Sequence, residues 1–139
     1  MSQSLVQPYL FFDGRCEEAL EFYRKVVDAQ VDLMMRFKDS PEPLPPGLVP
    51  PGYENKVMHS AFRIGQTTFL ASDEPQNGAK FGAFSLSLTV KTTAEADRTF
   101  AALSDGGSVL MPLTKTFWSP RFGMLSDRFG LRWMVSVMV

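Results

Sequence analysis

The 139-residue sequence has one cysteine, Cys16, and one histidine, His59. A single thiol closes no internal disulfide, which excludes a disulfide-stapled scaffold. A single imidazole is a poor start for a histidine-based catalytic or metal centre. Basic charge is not in excess either: 14 Lys and Arg stand against 15 Asp and Glu, for a formal net charge of −1. A surface that neutralises phosphates needs a basic patch, so nucleic acid is set aside as a partner. No run approaches the ~18 uninterrupted apolar residues of a membrane span, and no basic segment followed by an apolar run opens the chain. The expectation is a cytoplasmic protein with no membrane partner.

What is present is a soft aromatic interior. Twelve Phe and eight Met lie within 45% hydrophobic residues, balanced by 21% charged ones. That is the composition of an ordinary globule of single-domain size, expected to span residues 1–139. Phe and Met fill cores, and they also line apolar pockets.

Tyr9-Leu10-Phe11-Phe12 stops at the turn pair Asp13-Gly14 and reads as a short strand buried on both faces. From Arg15 to Val27, Cys16, Ala19, Leu20, Tyr23 and Val27 recur at helical spacing, with acids early and bases late as the helix dipole favours. Val31 to Phe37 is a second strand. Between Lys38 and Lys56 the prolines Pro41, Pro43, Pro45, Pro46 and Pro50 exclude a helix or central strand. A loop of that length in a compact domain usually serves as a lid, a binding loop or an arm. Val57–Ile64 and Thr67–Ala71 form a hairpin closed at Gly65-Gln66.

After a polar linker, Ser72 to Lys80, the pattern restarts. Phe84–Val90 alternates as a strand. Thr93–Leu103 is a helix opened by a Thr cap, with Ala96 where an acid would complete a capping box. Val109–Met111, the Phe117-Trp118 region and Leu131–Val139 supply three further strands. An offset of 78 places Leu10 on Leu88, Phe12 on Val90, Glu17 on Glu95, Phe22 on Phe100 and Val31 on Val109. Past the proline-rich loop an offset of 65 places Gly65 on Gly130 and Phe69 on Met134. The fold expected is α+β: two tandem βαβββ half-modules, 4–76 and 80–139, with the 38–56 loop inserted in the first. Together they make a curved mixed sheet with a concave pocket and helices outside.

The opening Gln7-Pro8-Tyr9-Leu10-Phe11-Phe12-Asp13-Gly14, with Glu17-Glu18-Ala19-Leu20-Glu21-Phe22-Tyr23 behind it, resembles the PhnB-like branch of the vicinal oxygen chelate superfamily, which holds the glyoxalases, bleomycin-resistance proteins and dioxygenases. Lys56-Val57-Met58-His59 leading to Arg63-Ile64-Gly65 agrees. So does Phe117-Trp118 leading to Phe122-Gly123, Asp127, Phe129-Gly130 and Trp133. The resemblance implies this superfamily's fold and a homodimer. It also implies a divalent metal held by His, Gln or Glu, one on each of four strands. Counted from the shared motifs, those positions fall on Val6 or Gln7, Leu70 or Ala71, Ser85, and Met134. Only Gln7 carries a plausible ligand, so the usual metal site is expected to be lost and no cofactor is assigned. Branch members are often named demethylubiquinone methyltransferases. No glycine-rich loop follows a strand here, as S-adenosylmethionine would call for.

The expected function is metal-independent binding of a small molecule on the concave sheet face. The alternatives are a metal-dependent lyase or isomerase, its metal held by Gln7, His59 and Glu54, or a drug-sequestering protein. Pocket candidates are Gln7, His59, Ser85, Ser87, Phe117, Trp118 and Phe122. His59 could orient a ligand or act as a base, or simply pack between strands. Glu54, Asp73 and Glu74 are near it in sequence, at places where solvated acids also lie. Ser85, Ser87 and Thr89 make a polar stripe on one strand face. Phe117, Trp118 and Phe122 suit a pocket wall, a dimer seam or the core. Cys16 at a helix start could gain reactivity, but a lone cysteine is more often a small buried hydrophobe. Arg121, Asp127, Arg128 and Arg132 suit turn geometry and surface pairing better than anion binding. The branch more often has Pro at Arg128 and His at Leu131.

Overall fold

The computed structural model describes residues 4–75 and 80–139, so the expected linker lies partly outside the described residues. The chain divides into two compact units, Met1–Asn77 and Gly78–Val139. The first holds β1 (Tyr9–Phe11), α1 (Cys16–Val27), β2 (Gln30–Arg36), a 3-10 turn (Phe37–Asp39), β3 (Val57–Ile64) and β4 (Thr67–Ser72). The second holds β5 (Leu86–Val90), α2 (Thr93–Ser104), β6 (Ser108–Thr114), β7 (Phe122–Ser126) and β8 (Arg132–Val137). The sheets have the orders β1-β4-β3-β2 and β5-β8-β7-β6. In each, the opening strand lies parallel to the closing one and the remaining pairs are antiparallel.

The repeat extends to a defect. Register slips between Val31 and Leu33 in β2, and between Val109 and Met111 in β6, positions that are 78 apart. The bulged residues are Asp32 and Leu110. Elsewhere the expected alignment needs two corrections. Both helices are twelve residues long and begin at Cys16 and Thr93, an offset of 77 that pairs Tyr23, not Phe22, with Phe100. The turn into α1 is one residue longer than the turn into α2. At the closing strands, Leu10 opposes Ala71 while Leu88 opposes Val135. The offset there is 64, which matches Phe69 with Trp133 rather than Met134. A one-residue slip in a strand exchanges its faces, and only Trp133 shares the buried side of Phe69.

In the first unit α1 lays Cys16, Ala19, Leu20 and Tyr23 on the sheet. The Tyr23 ring lies 6.2 Å from that of Phe62, which stacks 5.1 Å from Phe69. The start of α1 has no cap of its own, because Arg15 makes no capping bond with its side chain. Asp73, 57 residues further on, supplies the acceptor: its Oδ1 takes the N–H groups of Gly14 and Cys16 at 2.7 and 2.8 Å. Its Oδ2 takes the N–H of Val57 at 3.0 Å. An orphan donor of the first helical turn is thereby satisfied from the end of β4. Helix α2 has a local cap instead, where Thr92 Oγ1 accepts from Glu95 N–H at 3.1 Å. The cap thus falls one residue before the expected Thr93, and Glu95 completes the capping-box spacing that Ala96 lacked.

Other expectations also change. Strand β1 is buried on one face only, with Leu10 inward and Tyr9 and Phe11 40% and 38% exposed on the other. Phe117-Trp118 is a bend and not a strand; the strand there is β7, beginning at Phe122. Strand β6 runs on through Pro112 to Thr114. It lies at the sheet edge, where a residue without an N–H is tolerated. Gly123 permits the close approach of α2, since a Cβ there would sit 2.8 Å from the Phe100 ring.

Candidate functional site

The proline-rich segment is a closed loop with its ends tied together. Phe37 N–H donates to Lys56 O at 3.1 Å, and Lys38 N–H to Glu54 O at 3.0 Å. Tight turns at Pro45–Leu48 and Pro50–Tyr53 shape its path. Gly47 and Gly52 supply the positive φ of 84° and 83° that those turns use. Its root is fastened to the β1–α1 turn: Lys56 Nζ donates to Gly14 O at 2.9 Å, and the Tyr53 hydroxyl donates to Asp13 Oδ1 at 3.0 Å. Desolvation and that bond push the Tyr53 phenol up to about 12. Arg36 grips Glu17 through both terminal guanidinium nitrogens at 2.9 and 2.7 Å, and this holds the carboxyl below its usual range.

Between this loop and the sheet lies a cleft of about 470 Å³, within the range for small-molecule sites. Tyr9, Phe11, Met58 and Ser72 wall it from the strands, and Phe37, Gly47, Leu48 and Pro50 from the loop and its root. Asp73, Glu74 and Pro75 close the end. Tyr9, Phe11 and Ser72 belong to the sheet face turned away from α1, opposite Leu10 and Ala71. Met58 reaches the cleft because β3 bulges there: Met35 opposes His59 and Arg36 opposes Val57, leaving Met58 unmatched. The Tyr9 and Phe11 rings are 5.0 Å apart, and the Tyr9 hydroxyl donates to Ser72 Oγ at 3.2 Å. A second cleft, of about 700 Å³, lies at the loop root among Glu17, Glu18, Glu21, Arg36, Asn55 and Lys56.

None of the seven pocket candidates read from the sequence lines the first cleft, although His59 borders it. Its ring is 6.2 Å from that of Tyr9, and its neighbour Met58 is a wall. Gln7 is half-buried ahead of β1. Glu54 is exposed in the loop, its carbonyl engaged by Lys38. In the second unit Ser85 precedes β5 and Ser87 lies on it, with Thr89 Oγ1 3.3 Å from Ser136 Oγ on the same face. Phe117, Trp118 and Phe122 come together edge to face, with centroids 4.8 and 5.3 Å apart. They are not core, since Phe117 is 97% exposed and Trp118 47%.

Three other sequence readings resolve. The Cys16 thiol is wholly buried, 3.8 Å from Ser60 Oγ. Burial, with Asp73 nearby, pushes it up to about 12, against the depression that a helix start could give. Asp73 is no solvated partner for His59 but an internal anchor, 2% exposed. Arg121 pairs with Asp97 and Arg128 with Asp105 at the surface, while Asp127 is buried beneath its turn. Sequence reading missed the loop-side wall, Phe37, Leu48 and Pro50. A loop of this length was the available signal, but residues on it carry no periodicity to mark which side faces the sheet.

Two βαβββ modules of matching topology, with a cleft on the face of a sheet turned away from its helix, define the vicinal oxygen chelate fold. The chain belongs to the family described as 3-demethylubiquinone-9 3-methyltransferase, whose model matches residues 4–136. It is 31% identical to protein YjdN of Escherichia coli over 95% of this chain and 94% of that protein. Among solved structures, protein PA1353 of Pseudomonas aeruginosa is 39% identical with a TM-score of 0.83, covering 98% of both chains. A PhnB protein of Bacillus cereus is 29% identical with a TM-score of 0.81, covering 96% of this chain and 99% of that one. The fosfomycin resistance protein FosX of Mesorhizobium loti, at 13% identity and a TM-score of 0.62 over 98% of this chain and 92% of its own, shares the fold.

The superfamily's metal positions do not fit a metal here. Those the resemblance implies would fall in the first unit on Gln7 and Leu70, since Ala71 faces α1, and in the second on Ser85 and Met134. That set offers one amide and one hydroxyl and neither imidazole nor carboxylate, a poor fit for a divalent cation. Among the described residues no three His, Cys, Asp or Glu side chains gather as a metal-holding group, and no helix is long and apolar enough to cross a membrane.

Proposed function

We propose that the chain binds a small molecule, without a bound metal, in the cleft between its proline-rich loop and the first sheet. The carrying observation is the wall itself. Tyr9, Phe11 and Leu48 are apolar residues left substantially exposed in one concave place, with the Tyr9–Ser72 hydroxyl pair beside them. Covering such a surface favours binding through the hydrophobic effect. Gln7 and His59 would extend this site on the first unit. Ser85, Ser87, Phe117, Trp118 and Phe122 would serve the second in the same way.

The two units form one domain in this reading, and the protein works as a cytoplasmic homodimer. Support for pairing comes from the outer strands: β2 exposes Val31, Leu33 and Met34, and β6 exposes Val109 and Leu110. Edge strands of that kind gain by being covered. Methyl transfer, which the family description names, is not part of the proposal, because among the described residues no strand leads into a glycine-rich loop.

A fragment screen read by thermal shift, with wild type beside Leu48→Asp and with zinc, nickel and manganese added singly, tests the reading. Fragments should stabilise wild type and not Leu48→Asp, and the metals should leave both unchanged. Stoichiometric metal binding lost on replacing His59 or Gln7 would favour the lyase or isomerase instead.

A further inference from the structure

We infer that the ligand of this cleft is a small organic cation with a flat apolar body, a conclusion that rests on the cleft being the binding site. Charge composition is the first ground. Among the described residues the lining includes two carboxylates, Asp73 and Glu74, and neither lysine nor arginine. Two bases at the loop root are engaged elsewhere, Lys56 on the Gly14 carbonyl and Arg36 on Glu17. They line the other cleft, not this one.

Aromatic walls are the second ground. Tyr9, Phe11 and Phe37 contribute three rings. A ring face carries the negative lobe of its quadrupole and attracts a cation that has shed water. Sandwiched between loop and strands, a flat body would cover these rings while its charged group faced the acid end. A carboxylate, phosphate or phosphonate would meet like charge there, with no guanidinium fork in the described lining and the start of α1 already taken by Asp73.

The two carboxylates act differently. Asp73 already accepts three backbone N–H groups and is buried. It contributes field rather than an open bond. Glu74 is exposed, so its attraction is screened by solvent and salt.

Three matched probes decide the matter: 1-naphthylmethylammonium, 1-naphthylmethanol and 1-naphthylmethylphosphonate, titrated into the full chain by calorimetry, with amide shifts locating each. The ammonium should bind at least threefold tighter than the alcohol and at least tenfold tighter than the phosphonate, shifting Phe37 and Leu48. Glu74→Gln, or 0.5 M salt, should shrink the advantage over the alcohol to under twofold and leave the alcohol's own affinity unchanged. Equal binding of all three in the cleft, or preference for the phosphonate, would overturn the charge assignment and leave the cleft as the site. Absence of binding by all three would overturn the inference. Shifts by any probe confined to residues elsewhere would overturn both it and the proposed site.

Discussion

The Trp133 indole donates its Nε1–H to Oδ2 of Asp127 across 2.9 Å, beneath the turn that joins β7 to β8. The other carboxylate oxygen takes the N–H groups of Phe129 and Leu131 at 2.8 and 3.1 Å. One buried side chain therefore shapes the turn and fixes the orientation of the largest core residue. Trp133→Phe removes the indole donor from a buried carboxylate, and Asp127→Asn can turn an amide N–H toward the indole N–H. Each should cost about 1–3 kcal/mol. Urea unfolding followed by circular dichroism checks this, and an unchanged midpoint for both variants would contradict the role given to the pair.

Gly107 has no room for a side chain. A Cβ there would lie 2.1 Å from the carbonyl oxygen of Ser126 on the paired strand. Because the obstacle is backbone, the β6–β7 pairing must shift to admit it, and Gly107→Ala should destabilise by about 3 kcal/mol or more. Gly82→Ala is the control: among the described residues nothing lies within 4 Å of a Cβ added there, and its φ is not positive. Thermal melts of the two variants should differ clearly, with Gly82→Ala near wild type.

Cys16 is expected to resist thiol reagents in the native protein at pH 8 and to react once guanidinium unfolds the chain. Its folded-state pKa is raised from 9.0 to about 12, so the folded state holds a proton that the unfolded state releases. That contribution to stability is full below pH 9 and is lost as pH rises toward 12. Cys16→Ala should flatten the stability curve over this window relative to wild type. Fast native labelling at pH 8, or an alkaline slope unchanged in Cys16→Ala, would count against the buried-thiol account.

The order of elements was legible because each half states its periodicity locally. The α1 stripe of Cys16, Ala19, Leu20 and Tyr23, the Gly65-Gln66 turn and the prolines of 38–56 are short-range signals, and all three appear in the structure where they were read. Phe117-Trp118 misled for the same reason. Two adjacent aromatics favour a strand by propensity, yet β6 and β7 pair on either side of them and leave them in the connection. The repeat was visible while its register was not, since an offset error of one residue leaves the apolar content of a strand unchanged and exchanges its faces.

The candidate site was less legible than the fold. The sequence marked the long loop and the lone His59. It did not connect Leu48 to Tyr9, or Asp73 to the start of α1. Leu48 and Tyr9 line one cleft and Asp73 accepts from Cys16 N–H, 57 positions away, and no spacing rule reaches across such separations.

By itself, then, the sequence determined the βαβββ order and its duplication, because periodicity and turn chemistry are properties of residues and their near neighbours. Only the tertiary structure decided which faces the strands present, how Asp73 caps a helix it does not belong to, and where the loop meets the sheet. Each of these depends on strand register and chain closure, which bring distant residues within hydrogen-bond reach and leave no mark in local composition.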